Sequence, residues 1–173
     1  RDCGLGCRQV TFAAPIASGA VFKVSGDFLV YMGNVYPLPI FLTNLRTSKE
    51  YEIEGSVEHQ RIGPAIENDM VVYATASWDR TNLDMTLWRY RIGECNRYPL
   101  VTRTMTNIGR PMMSFSISGD MVAWYDSAIA GAGIYAMSLW GGEVIDLTPD
   151  HCVCYSELFL HGRTVVFEGR HTG

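Results

Sequence analysis

The sequence predicts an all-β protein built from repeated four-stranded antiparallel sheets, and three observations support this fold class. A short phrase recurs, as VSGDFLVY at residues 24–31, IENDMVVY at 66–73, ISGDMVAWY at 117–125 and, in a degenerate form, LHGRTVVF at 160–167. Glycine or proline interrupts the chain at short intervals, which is typical of turns between strands. No segment of about twelve residues or more keeps the 3.6-residue period of an amphipathic helix.

The repeat has a regular spacing, which a second phrase supports. Its turn residues Asp27, Asp69, Asp120 and Arg163 are 42, 51 and 43 residues apart. A second strand-like phrase follows the three complete copies, and a further one comes after it. The second phrases are PIFLTNL, MTLWRY and GIYAMSL, and the final ones are EYEIEG, YPLVTRT and EVIDLT. Two phrases that keep one order indicate a true internal repeat.

Each copy therefore predicts four strands. The first strand ends at a tight turn of the Ser-Gly-Asp or Glu-Asn-Asp type, whose residues tolerate positive φ. The second strand is nearly all apolar, as in Met70–Tyr73 and Met121–Trp124, which predicts burial on both faces. Tyr31, Tyr73, Trp124 and Phe167 share one repeat position, and we interpret them as packing between sheets rather than as a ligand cage.

Four-stranded units that recur every 40–50 residues are typical of β-propeller blades. The segment ISGDMVAWYDSAIAGAGIYAMSLWGGEVIDLT resembles a blade of the TolB-like six- or seven-bladed propellers. The matching positions are Ser118, Gly119, Asp120, Trp124, Ile134, Tyr135, Leu139, Gly142, Leu147 and Thr148. Gly133 and Ser138 depart from the family pattern, which usually has aspartate there. The resemblance implies an envelope protein of bacteria or archaea, or a propeller domain joined to another module.

The chain predicts about three and a half blades in a single domain, 1–173. The blades cover about residues 20–62, 63–110 and 111–154, with a partial blade at 155–173. Residues 7–13 read as the last strand of a preceding or closing blade. Three ways of completing the ring follow. Further blades lie in a longer chain, two copies combine, or the chain closes a four-bladed ring by itself.

Five cysteines, Cys3, Cys7, Cys95, Cys152 and Cys154, are too few for a disulfide-rich miniprotein. A self-closing ring would bring Cys3 and Cys7 near Cys152 and Cys154, and disulfides between these ends would seal it in an oxidising compartment. The alternative reading is free thiols or pairs within one loop. HCVC at 151–154 offers soft metal ligands, but only Cys3 and Cys7 could converge on it from another segment, so we predict no metal site.

Composition and motifs exclude several function classes. The net charge is −4 without a basic cluster, so no nucleic-acid partner is expected. No apolar run reaches the roughly twenty residues of a transmembrane span. The G-x-S-x-G motif of a nucleophile elbow is absent from the sequence, and the four histidines lie in turn-like contexts. We predict no catalytic residue, cofactor or enzymatic activity.

The expected function is a scaffold or recognition propeller in the periplasm or outside the cell, which contacts a protein or glycan through loops. Trp140, beside two glycines in a turn, and Trp78 are the candidate contact residues. Two alternatives stay open. The chain is the propeller part of a peptidase or other hydrolase whose catalytic domain lies elsewhere, or it is a repeating subunit of an extracellular homo-oligomeric assembly.

Overall fold

The computed structural model describes residues 8–10, 22–33, 39–54, 60–79, 82–106, 114–126, 133–148 and 152–171. The described residues form fifteen β-strands in four antiparallel sheets and contain no helix. The all-β class and the four-stranded sheets are thereby confirmed. The chain divides into two compact units, Arg1–Arg80 with Asp84–Thr104 and Thr81–Leu83 with Met105–Gly173.

The first unit contains two sheets. The first sheet has the strand order β1-β5-β4-β3-β2, and the second has the order β6-β7-β8-β9. The strands of the first are β1 (Arg8–Val10), β2 (Phe22–Ser25), β3 (Phe28–Met32), β4 (Ile40–Asn44) and β5 (Lys49–Glu54). Those of the second are β6 (Gln60–Glu67), β7 (Met70–Asp79), β8 (Asn82–Arg91) and β9 (Arg97–Thr106).

The second unit contains the third and fourth sheets. The third sheet runs in the order β10-β11-β12-β13, and the fourth is the pair β14-β15. Their strands are β10 (Phe115–Ser118), β11 (Met121–Asp126), β12 (Gly133–Ser138), β13 (Ile145–Asp146), β14 (Cys152–His161) and β15 (Thr164–His171). Each strand follows its predecessor in space, as expected of an antiparallel meander.

Four equivalent two-residue turns join the first and second strands of the sheets. The first central residue has positive φ in every copy: 54° at Gly26, 53° at Asn68, 61° at Gly119 and 57° at Gly162. Positive φ at this position alone is the pattern of type II′ hairpins, which favour glycine there because it has no Cβ. The recurring phrase therefore encodes a backbone conformation.

This conformation predicts a specific cost for adding a side chain. Gly162→Ala is expected to lower the free energy of unfolding by about 1–2 kcal/mol, because an L-residue is strained in the left-handed region. A Cβ at Gly162 would meet no atom within 4 Å, so the loss would come from the backbone alone. Asn68→Gly, at the equivalent turn, should change stability by less than about 0.5 kcal/mol. Urea unfolding measures both, and equal effects of the two changes would contradict the assignment.

A backbone hydrogen bond also repeats at the first hairpin of the first three sheets. The amide of Leu45 donates to the carbonyl oxygen of Asp27 over 2.8 Å, and Ile92 and Leu139 donate to Asp69 and Asp120 over 2.7 Å each. Each bond joins the end of the third strand to the turn between the first two. The turn is thus held by the strand that follows it, which satisfies its carbonyl groups.

Adjacent sheets of a unit pack face to face. The core of the first unit combines Val30, Ile40 and Leu42 of the first sheet with Val71 and Tyr73 of the second. In the second unit, Ala123, Ile134 and Ala136 of the third sheet pack with Leu158 and Leu160 of the fourth. These side chains are at most 8% exposed. Each pair of sheets thereby buries apolar surface that one small sheet leaves open to water.

A serine in the first hairpin of each unit reaches the next sheet. The backbone amide of Asn68 donates to Ser25 Oγ over 2.7 Å. At the equivalent place in the second unit, the amide of Gly162 donates to Ser118 Oγ over 3.0 Å. The partners are 43 and 44 residues apart, which matches the sequence repeat. The hydroxyl therefore satisfies a turn amide of the neighbouring sheet.

The N-terminal strand differs from its prediction. Residues 7–13 were expected to form the last strand of a preceding or closing blade. In the structure β1 instead pairs antiparallel with β5, with Val10 opposite Glu50, and makes the first sheet five-stranded. The outer strand of a sheet offers unpaired backbone groups to any extended segment nearby, and β1 occupies that edge.

Candidate partner-binding surface

The third and fourth strands of the second sheet, β8 and β9, are joined by a five-residue turn at 92–96. Gly93 has φ of 93° and Cys95 has φ of 55°, and the amide of Glu94 donates to the carbonyl of Arg91 over 3.2 Å. Arg91 lies 2.8 Å from the carboxylate of Asp69 and 3.0 Å from that of Glu94. The hydrogen bond that Arg91 donates to Asp69 is the main cause that raises the pKa of Arg91. The turn is therefore held to the neighbouring hairpin.

Cys95 in this turn is disulfide-bonded. The chain has four other cysteines, and none of their side chains belongs to the described residues, so the partner sulfur lies outside the described part. The predicted partners were Cys3, Cys7, Cys152 and Cys154, and Cys95 was not among them. The sequence around Cys95 indicates only a turn, whereas the close cysteine pairs near the two chain ends indicated disulfides there. The disulfide fixes the tip of the β8–β9 hairpin covalently.

Two arginines stack on aromatic rings beside this turn. The Arg97 guanidinium lies 4.5 Å from the ring centre of Trp88, and that of Arg89 lies 4.8 Å from the ring centre of Tyr98. Both distances are within the range of cation–π attraction. Burial against its surroundings lowers the pKa of Arg97. The stacking limits the rotamers of both arginines, so less conformational entropy remains to be lost when a partner binds.

The neighbouring strand β7 and the core of the first unit fix the orientation of Trp88. Its indole Nε1 donates to Thr75 Oγ1 on β7 over 2.9 Å, and its ring packs against the core of the first unit. Tyr98 is 40% exposed. Consecutive residues of a strand point to opposite faces, so the Arg97–Trp88 pair lies on the core-facing side of the hairpin and the Arg89–Tyr98 pair on the other side. We call these four residues together the hairpin surface. Tryptophan, tyrosine and arginine are the residues most enriched at energetically important interface positions.

The rest of the β8–β9 pair is lined by polar side chains. Thr104 Oγ1 donates to Asp84 Oδ1 over 2.6 Å, and the hydroxyls of Thr86 and Thr102 are 3.1 Å apart. Asp84, Thr102 and Thr104 are exposed. Leu83, Met85 and Leu87, which alternate with them along β8, are buried. The strand therefore has one apolar face and one polar face, and the polar face is the one that carries Trp88.

The two tryptophans predicted as contacts have different outcomes. Trp140 lies in the turn after β12 and is 57% exposed; its amide donates to Ser138 Oγ over 3.1 Å. Gly141 and Gly142 follow it with φ of 96° and 121°, and exposed Ile145 lies on the next strand. Trp78 lies in β7, but its side chain is outside the described residues.

A buried polar cluster in the first sheet has a structural explanation. The Glu50 carboxylate is 4% exposed and accepts hydrogen bonds from Tyr31 Oη over 2.5 Å and from Thr43 Oγ1 over 3.2 Å. Burial, together with this bond to Glu50, raises the pKa of Tyr31 above its ordinary value. Because both donors neutralise the cost of burying the carboxylate, the cluster holds three strands of the sheet together.

Metal ligands do not converge among the described residues: no group of three or more histidine, cysteine, aspartate or glutamate side chains could hold an ion there. His161 is exposed in the turn region of the fourth sheet. His59 and His151 lie outside the described residues, as do Cys3 and Cys7. Over the described ranges, no helix is long and apolar enough to cross a membrane.

Comparison with known proteins identifies no relative. No protein-family model matches the chain, and searches of curated proteins and of solved structures find no significant match. The TolB-like resemblance therefore rests on the repeat phrases, and the four-stranded sheets agree with it only at the level of secondary structure and strand order.

Proposed function

We propose that the chain is a non-enzymatic recognition module of the TolB-like β-propeller type, which acts in the periplasm or outside the cell and binds a protein or glycan. The observation that carries the proposal is the hairpin surface, where two arginines stack on Trp88 and Tyr98 beside the disulfide-bonded Cys95. A rigid, partly exposed set of aromatic and arginine side chains suits recognition more than turnover.

The disulfide supports the proposed location. Disulfides persist in the periplasm and outside the cell, whereas the reducing cytosol keeps most thiols free. Cys95 lies in a turn whose described neighbours include no catalytic acid–base pair. Arg91 and Glu94 form an ion pair, and Arg97 stacks on an aromatic ring. The bond is therefore best explained as a structural brace of a secreted or envelope protein.

The chemistry of the surface indicates the class of partner contact. Stacked guanidinium groups recognise carboxylates and sulfates through paired hydrogen bonds, and the exposed face of Tyr98 offers apolar area to a sugar ring or a side chain. Thr102 and Thr104 pair with Thr86 and Asp84 on the side of the hairpin that carries Trp88, so they lie outside a contact centred on Tyr98. An acidic peptide or an acidic sugar suits the Arg89–Tyr98 pair, which offers both a guanidinium group and an exposed aromatic ring.

The test measures binding of the oxidised chain to an array of neutral and acidic glycans and to a displayed peptide library. We expect selective binding to acidic members of one of these sets. Arg89→Ala combined with Tyr98→Ala should weaken binding by 10- to 100-fold, as expected for central interface residues. Thr102→Ala, on the same strand, serves as the matched control and should retain affinity within about threefold.

Two results would count against the proposal. If no member of either set binds, or if the double variant binds as well as the unaltered chain, the hairpin surface has no recognition role. Hydrolysis of fluorogenic peptidase or esterase substrates by the chain would replace the recognition function with an enzymatic one. Loss of binding in Trp140→Ala, with the double variant unaffected, would place the contact on the third sheet.

A further inference from the structure

The sheets within each unit pack in one direction along the chain. Val30 in the first sheet and Ala123 in the third share one repeat position, three residues after the turn aspartate, and both are fully buried against the following sheet. We call the face that carries this position the forward face of a sheet. The opposite face, which receives the preceding sheet, is the backward face; it carries Ile66 in the second sheet and Leu160 in the fourth.

Two faces of the chain lack such a cover. Val166 occupies in the fourth sheet the position of Val30 and Ala123, yet it is 60% exposed, whereas those two residues are 0% exposed. Val24 occupies in the first sheet the position of Ile66 and Leu160, which are 9% and 8% exposed, yet Val24 is 58% exposed. At the six other copies of these two positions the side chain is at most 9% exposed, including Val72 in the second sheet and Ile117 in the third.

Both open faces are enlarged by a neighbouring aromatic ring. Phe22, opposite Tyr31 in the first sheet, is 58% exposed, and Phe159, opposite Val166 in the fourth sheet, is 56% exposed. Four large apolar side chains in water are a clear cost to a single chain. The first exposed face is a backward face and the second is a forward face, so they are the two complementary halves of the packing seen within each unit.

We propose that the forward face of the fourth sheet in one copy packs on the backward face of the first sheet in a second copy of this chain. The contact repeats the existing sheet-to-sheet packing, so no new geometry is needed. It is a head-to-tail contact, which joins two different surfaces and either closes into a ring or continues as a chain of copies. The association goes beyond the recognition function proposed above and does not depend on it.

The repeated hydrogen bond between sheets has a counterpart in this contact. Its acceptors, Ser25 and Ser118, precede the turn glycine of their sheets, and His161 holds that position in the fourth sheet. Gly26 holds in the first sheet the donor position that Asn68 and Gly162 hold in theirs. We therefore expect an imidazole nitrogen of His161 to accept the amide hydrogen of Gly26 from the second copy. His161→Ser should preserve association, whereas His161→Leu should weaken it several-fold.

Sedimentation equilibrium between 1 and 100 µM (roughly the range of weak to moderate association) tests the contact. The unaltered 173-residue chain has a mass of 19.3 kDa and is expected to sediment as a larger species. Val24→Asp removes the backward face, and Val166→Asp removes the forward face. Each variant alone should be monomeric, because every head-to-tail contact then includes one charged face. An equimolar mixture should recover a dimer, since each variant retains the half that the other lacks.

Ile145→Asp is the matched control, because Ile145 is 49% exposed on a strand of the third sheet but lies on neither of these faces. It should associate like the unaltered chain. Circular dichroism checks that each variant is folded, and the milder pair Phe22→Ser and Phe159→Ser replaces any variant that is not. A monomer at 100 µM would overturn the proposal. So would association of either aspartate variant alone, which indicates a like-with-like contact, or failure of the mixture to associate.

Discussion

Replacing Cys95 by serine is expected to lower the free energy of unfolding of the oxidised protein by about 2–5 kcal/mol, the usual cost of losing a native disulfide. The bond crosslinks the turn at 92–96 to another part of the chain, and without it the unfolded state gains conformational freedom. The turn contains two residues with positive φ, Gly93 and Cys95. Because cysteine disfavours positive φ, the local sequence does little to hold this conformation once the crosslink is lost. Urea unfolding in non-reducing buffer measures the loss.

Reduction provides the control for this prediction. In dithiothreitol the unaltered chain should become as unstable as Cys95→Ser, and the difference between them should shrink to less than about 0.5 kcal/mol. Alkylation followed by mass spectrometry should detect one more free thiol in the serine variant than in the unaltered oxidised chain, because the former partner of Cys95 is released. Peptide mapping then identifies that partner. Equal stability of both proteins under oxidising conditions would show that Cys95 is not bonded.

Trp124→Ala is expected to cost about 3–5 kcal/mol, because it removes a large buried ring from the third sheet. Trp124 is 0% exposed, and its ring centre lies 5.8 Å from that of Tyr135 on the next strand. Its indole Nε1 is buried and has no hydrogen-bond partner among the described residues. Trp124→Phe loses ring volume but also removes this unpaired donor, so its cost should be well below that of alanine.

Trp140 is the matched control for Trp124, since it is the same residue type in the same sheet but 57% exposed. Trp140→Ala should change the free energy of unfolding by less than about 0.5 kcal/mol. Thermal or urea unfolding distinguishes the pair. Equal losses at both positions would mean that the repeat position of Trp124 is not the packing position, and that the recurring aromatic has another purpose.

Local features of this fold could be predicted from the sequence because their causes are local. Glycine and asparagine tolerate positive φ and therefore indicate tight turns in a sequence. The four turn positions with positive φ are Gly26, Asn68, Gly119 and Gly162. The apolar run Met70–Tyr73 is fully inside, with no residue above 5% exposure, as its continuous hydrophobicity indicated. Tyr73 and Trp124 are buried, which confirms the packing interpretation for these two positions.

Features that depend on distant segments were not predictable from single phrases. The pairing of β1 with β5 depends on which free edge an extended segment reaches, and its three residues Arg8–Val10 carry no signal for that edge. The hairpin surface depends on strand register. Arg97 and Trp88 lie on different strands, and only the pairing of those strands brings them within 4.5 Å. The disulfide of Cys95 likewise reflects chain topology rather than the spacing of cysteines.

An apolar run in the fourth copy of the repeat is not buried on both faces. The run Thr164–Phe167 resembles the buried second strands of the other copies, but Val166 is 60% exposed. Apolar sequence indicates that a strand is suited to burial on two faces, whereas actual burial requires a neighbour on each side. Val166 lies on a face of the fourth sheet that the described residues leave open to water.

The hydrogen bonds from Asn68 to Ser25 and from Gly162 to Ser118 have a consequence for how such a chain can grow. In both bonds, the acceptor hydroxyl belongs to one copy of the phrase and the donor amide belongs to the following copy. A duplicated segment that contains both positions can therefore form the same hydrogen bond with its neighbour. A gene encoding this architecture can therefore be lengthened by tandem duplication without new compensating substitutions at the junction. Ser25 and Ser118 would therefore bring the acceptor of this hydrogen bond with them when their copy of the repeat is duplicated.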